Sequence, residues 1–245
     1  MLLFRLLLLI SMCSTSGVYA GVDHDLALLE AAKRGDLRLY KMMLEFGARA
    51  HSVDKSGNNA MVMAVYGGNR LILRDLLERK VNVNSIGGIG ATPLGLAVVR
   101  GDDDVTALLL KAGADPDAKN AAGIPPLVAA IELDRASIFD SLLAANAKVD
   151  IADAAGRTPL MMAASKGMRY AVDALLEQGA DLNARDREGR TALFWAIFEQ
   201  HSAIAKTLLA AGAESRRPVK GYSPLHWARV TQNTDVAALL ERLAE

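Results

Sequence analysis

Gly156-Arg157-Thr158-Pro159-Leu160-Met161-Met162-Ala163-Ala164-Ser165-Lys166-Gly167 is followed, after a short break, by Ala171-Val172-Asp173-Ala174-Leu175-Leu176-Glu177-Gln178-Gly179-Ala180-Asp181-Leu182-Asn183-Ala184. The first stretch predicts a helix beginning at Pro159. Proline there gives up no useful hydrogen bond, and its fixed φ suits a first turn. Thr158 offers a side-chain oxygen to the unpaired N–H groups at the helix start. Leu160, Met162 and Ala163 face a neighbouring element. Val172, Leu175 and Leu176 repeat the i, i+3, i+4 spacing of a second helix with one apolar stripe. Gly179 ends that helix, where a left-handed residue is needed. Two such short helices cannot bury their apolar faces alone.

Gly156 is one of six glycines in register: Gly57, Gly90, Gly123, Gly156, Gly189 and Gly221, each 33 residues after the last except a final step of 32. Two residues beyond each stands Asn59, Thr92, Pro125, Thr158, Thr191 or Ser223. A fixed period of this length means stacked supersecondary units. The turn reads Thr-Pro-Leu at Thr92-Pro93-Leu94 and Thr158-Pro159-Leu160. Degenerate copies are Pro125-Pro126-Leu127, Thr191-Ala192-Leu193 and Ser223-Pro224-Leu225. Gly113-Ala114-Asp115, Gly179-Ala180-Asp181 and Gly212-Ala213-Glu214 mark the ends of second helices.

This pattern resembles the ankyrin repeat, over residues 25–245. The resemblance implies an all-α solenoid of about seven helix-turn-helix units with finger loops. The units fall near 25–57, 58–90, 91–123, 124–156, 157–189, 190–221 and 222–245 of one domain, 21–245. Atypical first and last units are expected, because each leaves one face in water. Two departures stand out. The family's histidine after Thr-Pro-Leu occurs only as His226; Val62, Gly95, Val128, Met161 and Phe194 hold that slot elsewhere. Repeat two reads Asn59-Ala60-Met61 and leads into the Gly-rich Ser85–Gly90, so repeats one to three are expected to be looser than five and six.

Residues 1–20 read as a secretory signal peptide: Arg5, the apolar run Leu6 to Met12, and Val18-Tyr19-Ala20 before a cleavage between Ala20 and Gly21. The run is shorter than the roughly 20 residues a membrane span takes. The compact leader suits bacterial export, hence a periplasmic or secreted protein. An alternative is a lipoprotein acylated at Cys13, although Met12 fits the lipobox poorly. Cys13 is the only cysteine, so no disulfide is expected. Removing the leader leaves 27 basic and 28 acidic residues, since Arg5 is its only charged side chain. That balance gives no general pull toward nucleic acid or anionic membrane.

No catalytic constellation is legible: no G-x-S-x-G, H-E-x-x-H or phosphate-binding G-x-x-x-x-G-K-[ST]. His24, His51, His201 and His226 lie in different repeats without metal-ligand spacing. No cofactor or metal is expected. Asp102-Asp103-Asp104 suits a helix start by its charge. Met61, Met63, Met161 and Met162 read as core filling. Trp195 and Trp227 share a core slot in adjacent repeats and read as packing between the last two units.

The resemblance places partner binding on finger tips and first helices. By register these include Tyr66, Ile89, Val99, Arg100, Ile124, Leu133, Arg157, Lys166, Arg187, Arg190, Phe198, Lys220 and Tyr222, with Val219 among the last finger's tip residues. Ile89, Val99, Ile124 and Leu133, with alanine tips between them, have two readings: a continuous apolar strip of the kind that marks interaction sites, or tips that are merely small. The basic fingers around Arg185, Arg187, Arg190, Arg216, Arg217 and Lys220 have two readings: steering of an acidic partner, or a solvated face of a neutral chain. The expected function is a non-catalytic, monomeric module clasping another folded protein. Resemblance to exported members suggests assistance to an envelope enzyme; an immunity protein that neutralises a periplasmic toxin is the alternative.

Overall fold

The turn residues behave as their chemistry requires. The computed structural model describes residues 23–88 and 90–244. In it, Asn59, Thr92, Thr158, Thr191 and Ser223 each accept a hydrogen bond from the backbone N–H three residues on, and a helix begins at the next residue. Pro125 has no such acceptor, and the helix after it starts without a side-chain cap. The leader, Cys13, the Ala20–Gly21 junction and Ile89 lie outside the described residues.

Fourteen helices are found among the described residues, in seven pairs. They are α1 His24–Arg34 and α2 Leu37–Glu45; α3 Ala60–Gly67 and α4 Arg70–Glu78; α5 Pro93–Arg100 and α6 Asp103–Lys111; α7 Pro126–Glu132 and α8 Ala136–Ala144; α9 Pro159–Lys166 and α10 Arg169–Glu177; α11 Ala192–Phe198 and α12 Ser202–Ala210; α13 Pro224–Val230 and α14 Thr234–Arg242. No strand is present among the described residues, only isolated bridges Val53–Asn59 and Val219–Tyr222 in the fingers. The chain is an all-α repeat solenoid.

First helices pack in one row and second helices in another, with the closer approach in the first row. A stack tighter along one row bends toward it, so first helices and fingers form the inner face. The core runs between the rows. Leu160, Ala163, Val172 and Leu175 are fully buried, and their register mates Leu94, Leu127, Leu109 and Leu142 are too. Each such leucine contributes about 1.5–3 kcal/mol over its exposed state.

Polar side chains tie the units together. Asn84, Asp117, Asp150 and Asn183 occupy one slot of four successive repeats. Their Oδ1 atoms accept from the backbone N–H of Asp115, Lys148, Asp181 and Glu214, each 31 residues on, at 2.8–3.0 Å. Asn69 donates back to the carbonyls of Ala32 and Lys33, satisfying the end of α1. Arg100 donates to Tyr66 O, and His201 Nε2 donates to Ser165 O. Asp102 caps α6 through Val105 N–H, and both Asp102 and Asp104 pair with Arg70.

Candidate protein-binding surface

The fingers project beside the first helices, and most are shaped by one acidic or amide residue. Asp54, Asn120, Asp153 and Asp186 share a slot three residues before the finger glycine. Each Oδ1 accepts two backbone N–H groups of its own finger at 2.8–3.0 Å. This is the local side-chain mimicry of a backbone turn that Asp and Asn favour. Gly57, Gly90, Gly123, Gly156, Gly189 and Gly221 all take the left-handed conformation the turn needs, with φ of 70–82°.

Two fingers lack that residue. In the second, Gly87 holds the slot, and Asn58 of the first finger reaches across to accept from Gly88 N–H at 2.8 Å. The glycines there serve close approach. A Cβ on Gly87 would lie 2.7 Å from Val62 Cγ1, and one on Gly88 would strike the carbonyl of Ser56. In the sixth finger Val219 holds the slot. It exchanges hydrogen bonds with Tyr222 at 2.9 and 3.0 Å in a turn one residue shorter, matching the 32-residue step. Val219 is therefore buried and not a tip residue.

The expected site residues divide by environment. Tyr66, Val99, Arg100, Leu133, Lys166, Arg187, Phe198, Lys220 and Tyr222 are exposed on the inner face or finger tips. Ile124 is half-buried against the core. Arg157 and Arg190 turn inward: Arg157 pairs at 2.7 Å with buried Asp153, and Arg190 pairs at 2.7 Å with Asp186, whose side chain is wholly buried. The guanidinium of Arg190 also lies 4.4 Å from the Trp195 ring centroid. These two arginines hold fingers four and five onto the stack.

The basic fingers are largely occupied among the described residues. Glu188 takes Arg190 at 3.0 Å and Lys220 at 2.7 Å, and the Lys220 hydrogen bond holds its carboxyl below the usual range. Arg217 pairs with Glu214. Arg185 donates to the carbonyls of Gly189 and Pro218, and Arg216 to those of Leu243 and Ala244. Among the described residues, the side chain of Arg187 makes no ion pair or hydrogen bond.

The inner face carries an apolar stripe one residue wide. Tyr66, Val99, Phe198 and Val230 occupy the same slot in the last turn of α3, α5, α11 and α13, and all are about half exposed; Leu133 follows α7 one residue later. Glu132 and Ser165 interrupt it. The stripe ends in an aromatic cluster. Phe198 stacks on Phe194 at 5.5 Å and meets Trp195 and Trp227 edge to face. Tyr222 stacks on His226 at 4.4 Å and meets Trp227 at 82°. Trp195 and Trp227 pack between the last units as their slot predicts, but both are only partly buried. The sequence signal for a cluster rather than a pair was the company of Phe198, Tyr222 and His226 at neighbouring slots.

Among the described residues no group of three or more His, Cys, Asp or Glu side chains gathers as metal ligands, and no helix is long and apolar enough to cross a membrane. Comparison with curated proteins returns no match. A family model described as ankyrin repeats, three copies, matches residues 28–120, 127–218 and 185–243.

Proposed function

The chain belongs to the ankyrin-repeat family, and on that footing we propose that it is a non-catalytic module that clasps a folded partner protein on its inner face. The supporting observation is the exposed stripe of Tyr66, Val99, Leu133, Phe198 and Val230 along the first helices. Five large apolar side chains left in water on one face are what an interaction surface looks like. The rigid stack supplies shape, and the fingers bracket the stripe. Such a surface gives affinity without naming its target. The leader-like residues 1–20 support a place in the bacterial envelope, where an enzyme to be assisted or a toxin to be neutralised would be met.

Crosslinking in the envelope followed by identification of the captured protein tests this reading. The double variant Val99→Asp with Leu133→Asp changes only exposed side chains, so its helical signal and melting should match the parent while capture is lost. Undiminished capture by a folded Val99→Asp, Leu133→Asp protein would overturn the inner-face assignment. The identity of the captured protein, enzyme or toxin, separates the two roles.

A further inference from the structure

Charge is unevenly distributed along the array. Residues 91–156 carry five Lys and Arg against ten Asp and Glu, whereas residues 157–244 carry twelve against nine. In the second region the finger carboxylates are already taken. Asp186 is buried under Arg190, and Glu188 is shared by Arg190 and Lys220. Arg185 and Arg216 are held by backbone carbonyls, which leave their charge uncompensated. Arg187 at the fifth finger tip and Lys166 at the end of α9 are exposed, with no ion-pair partner among the described residues. Both belong to the fifth repeat, next to the repeat that presents Phe198.

The aromatic cluster beside them is corrugated. Tyr222 has one face covered by His226, Phe198 has one face covered by Phe194, and Trp227 meets both Phe198 and Tyr222 at steep angles. A sugar stacks on an open ring face, but here the half-exposed rings of Phe198 and Tyr222 stand at steep angles to Trp227. A protruding apolar side chain fits such a surface, because edge-to-face packing extends the pattern already there.

The geometry points to the last three repeats as a specificity site for an acidic segment of the partner that carries one aromatic or large aliphatic anchor. The anchor packs against Phe198, Tyr222 and Trp227, and flanking carboxylates meet Arg187 and Lys166. This assignment rests on the reading of the inner face as the binding surface and adds the chemistry of what it binds. Complementary charge governs mainly association rate and partner choice.

The protein contains its own reporter. Its two tryptophans, Trp195 and Trp227, both lie in this cluster, so intrinsic fluorescence senses this site and not the rest of the face. The probe is a synthetic acidic peptide with one central phenylalanine, titrated into the full chain. A saturable change in tryptophan emission is expected. It should weaken about tenfold in Phe198→Ser, as for a central anchor contact. It should weaken similarly in Lys166→Glu with Arg187→Glu, with an effect that shrinks at high salt. Far-UV circular dichroism and melting of each variant confirm that it is folded. The same peptide with lysine in place of its acidic residues, a maltohexaose and anionic vesicles should leave the emission unchanged. The site is overturned if there is no saturable change up to about 1 mM peptide, if the lysine peptide or a control binds equally, or if the folded variants bind like the parent. If envelope capture is lost in Val99→Asp with Leu133→Asp yet intact in Phe198→Ser and Lys166→Glu with Arg187→Glu, the inner-face reading stands and this site falls. If capture survives every one of these changes, both fall.

Discussion

The fifth finger and the second finger make the same turn with opposite chemistry. In the fifth, Asp186 supplies everything locally: its oxygens take two backbone N–H groups and the Arg190 guanidinium, in a place where its side chain has no contact with water. In the second, Gly87 supplies nothing but space, and the finger is secured by Asn58 from the neighbour. The fifth finger builds its turn around its own aspartate and is also tied to the fourth, Arg187 N–H donating to Ala155 O at 3.0 Å; the second lacks the local aspartate and makes its cross-finger tie to the Asn58 side chain. A repeat can therefore lose its signature residue and keep its shape when its backbone turn and its tie to the neighbouring finger remain.

The largest effect should come from removing the fifth finger's acceptor. Asp186→Ala leaves two N–H groups without partners and the Arg190 guanidinium with only the exposed Glu188 carboxylate, which is expected to cost about 3 kcal/mol by the rule for broken buried pairs. Asp54→Ala removes the matching residue from the first finger, where no arginine is attached, and should cost about 1 kcal/mol. Urea midpoints decide the order; an equal loss in both would erase the distinction between a buried pair and a simple turn acceptor.

Next in size is the test of space. Restoring a side chain at position 87 should harm the second finger, because the glycine is there for close approach to Val62 and Asn58. Gly87→Ala is expected to cost about 1–3 kcal/mol as an overpacked site. A neutral or stabilising Gly87→Ala would show that the finger has room and that its glycine is a simple loss.

A smaller effect is expected from acid. Burial raises the Asp54 pKa, but the hydrogen bonds from Asn58, Ser56 and Gly57 outweigh it and hold the carboxyl below its ordinary value of 3.8. The folded value is the lower one, so its stabilisation is present above about pH 4 and is lost as pH falls through the folded value. The stability gap between the parent and Asp54→Asn should therefore narrow as pH drops from 5 toward 2, in ranges set by these ordinary carboxylate values. A gap constant with pH would mean that the turn needs only an acceptor and no charge.

The smallest effect concerns another replaced signature residue. First helices end in a left-handed residue, which is Gly35, Gly68, Gly101 and Gly167 in four units but Asp134, Gln200 and Gln232 in three, with φ of 54–61°. A side chain there is strained. Gln200→Gly is expected to raise stability by about 0.5 kcal/mol, the relief of strain being partly offset by the freedom glycine has when unfolded. Loss of stability would show that the Gln200 side chain contributes a contact worth more than the strain.

The fold was legible because its signal is repeated. Thr158-Pro159-Leu160 and Gly179 specify a helix start and a helix end, and seven registered copies leave no other architecture. The surface was less legible, because register tells where a side chain sits but not what it holds. Arg157 and Arg190 occupy finger slots that face a partner in the family, yet each has a buried aspartate four residues before it. The recurrence of Asp54, Asn120, Asp153 and Asp186 at one slot was the available clue. Val219 replaced that residue and marks the one finger shortened to a 32-residue step. The shared slot of the tryptophans, with Phe194 and His226 beside them, predicts packing between the last two units; the wider cluster forms because Phe198 and Tyr222 arrive from two further slots.

The carboxylate and amide bonds at Asn84, Asp117, Asp150 and Asn183 also have a mechanical meaning. Each fastens one unit to the next, so a pull on the two ends loads them in series. The equivalent slot holds His51 before them, which makes no such bond among the described residues, and Arg216 after them, whose guanidinium instead donates to the carbonyls of Leu243 and Ala244 in the last unit. Under tension the array should open first at its N-terminal joint, while the four fastened joints of the middle hold longest. In a single-molecule trace this is a stepwise unravelling that starts at a terminus, with each step the contour of one repeat.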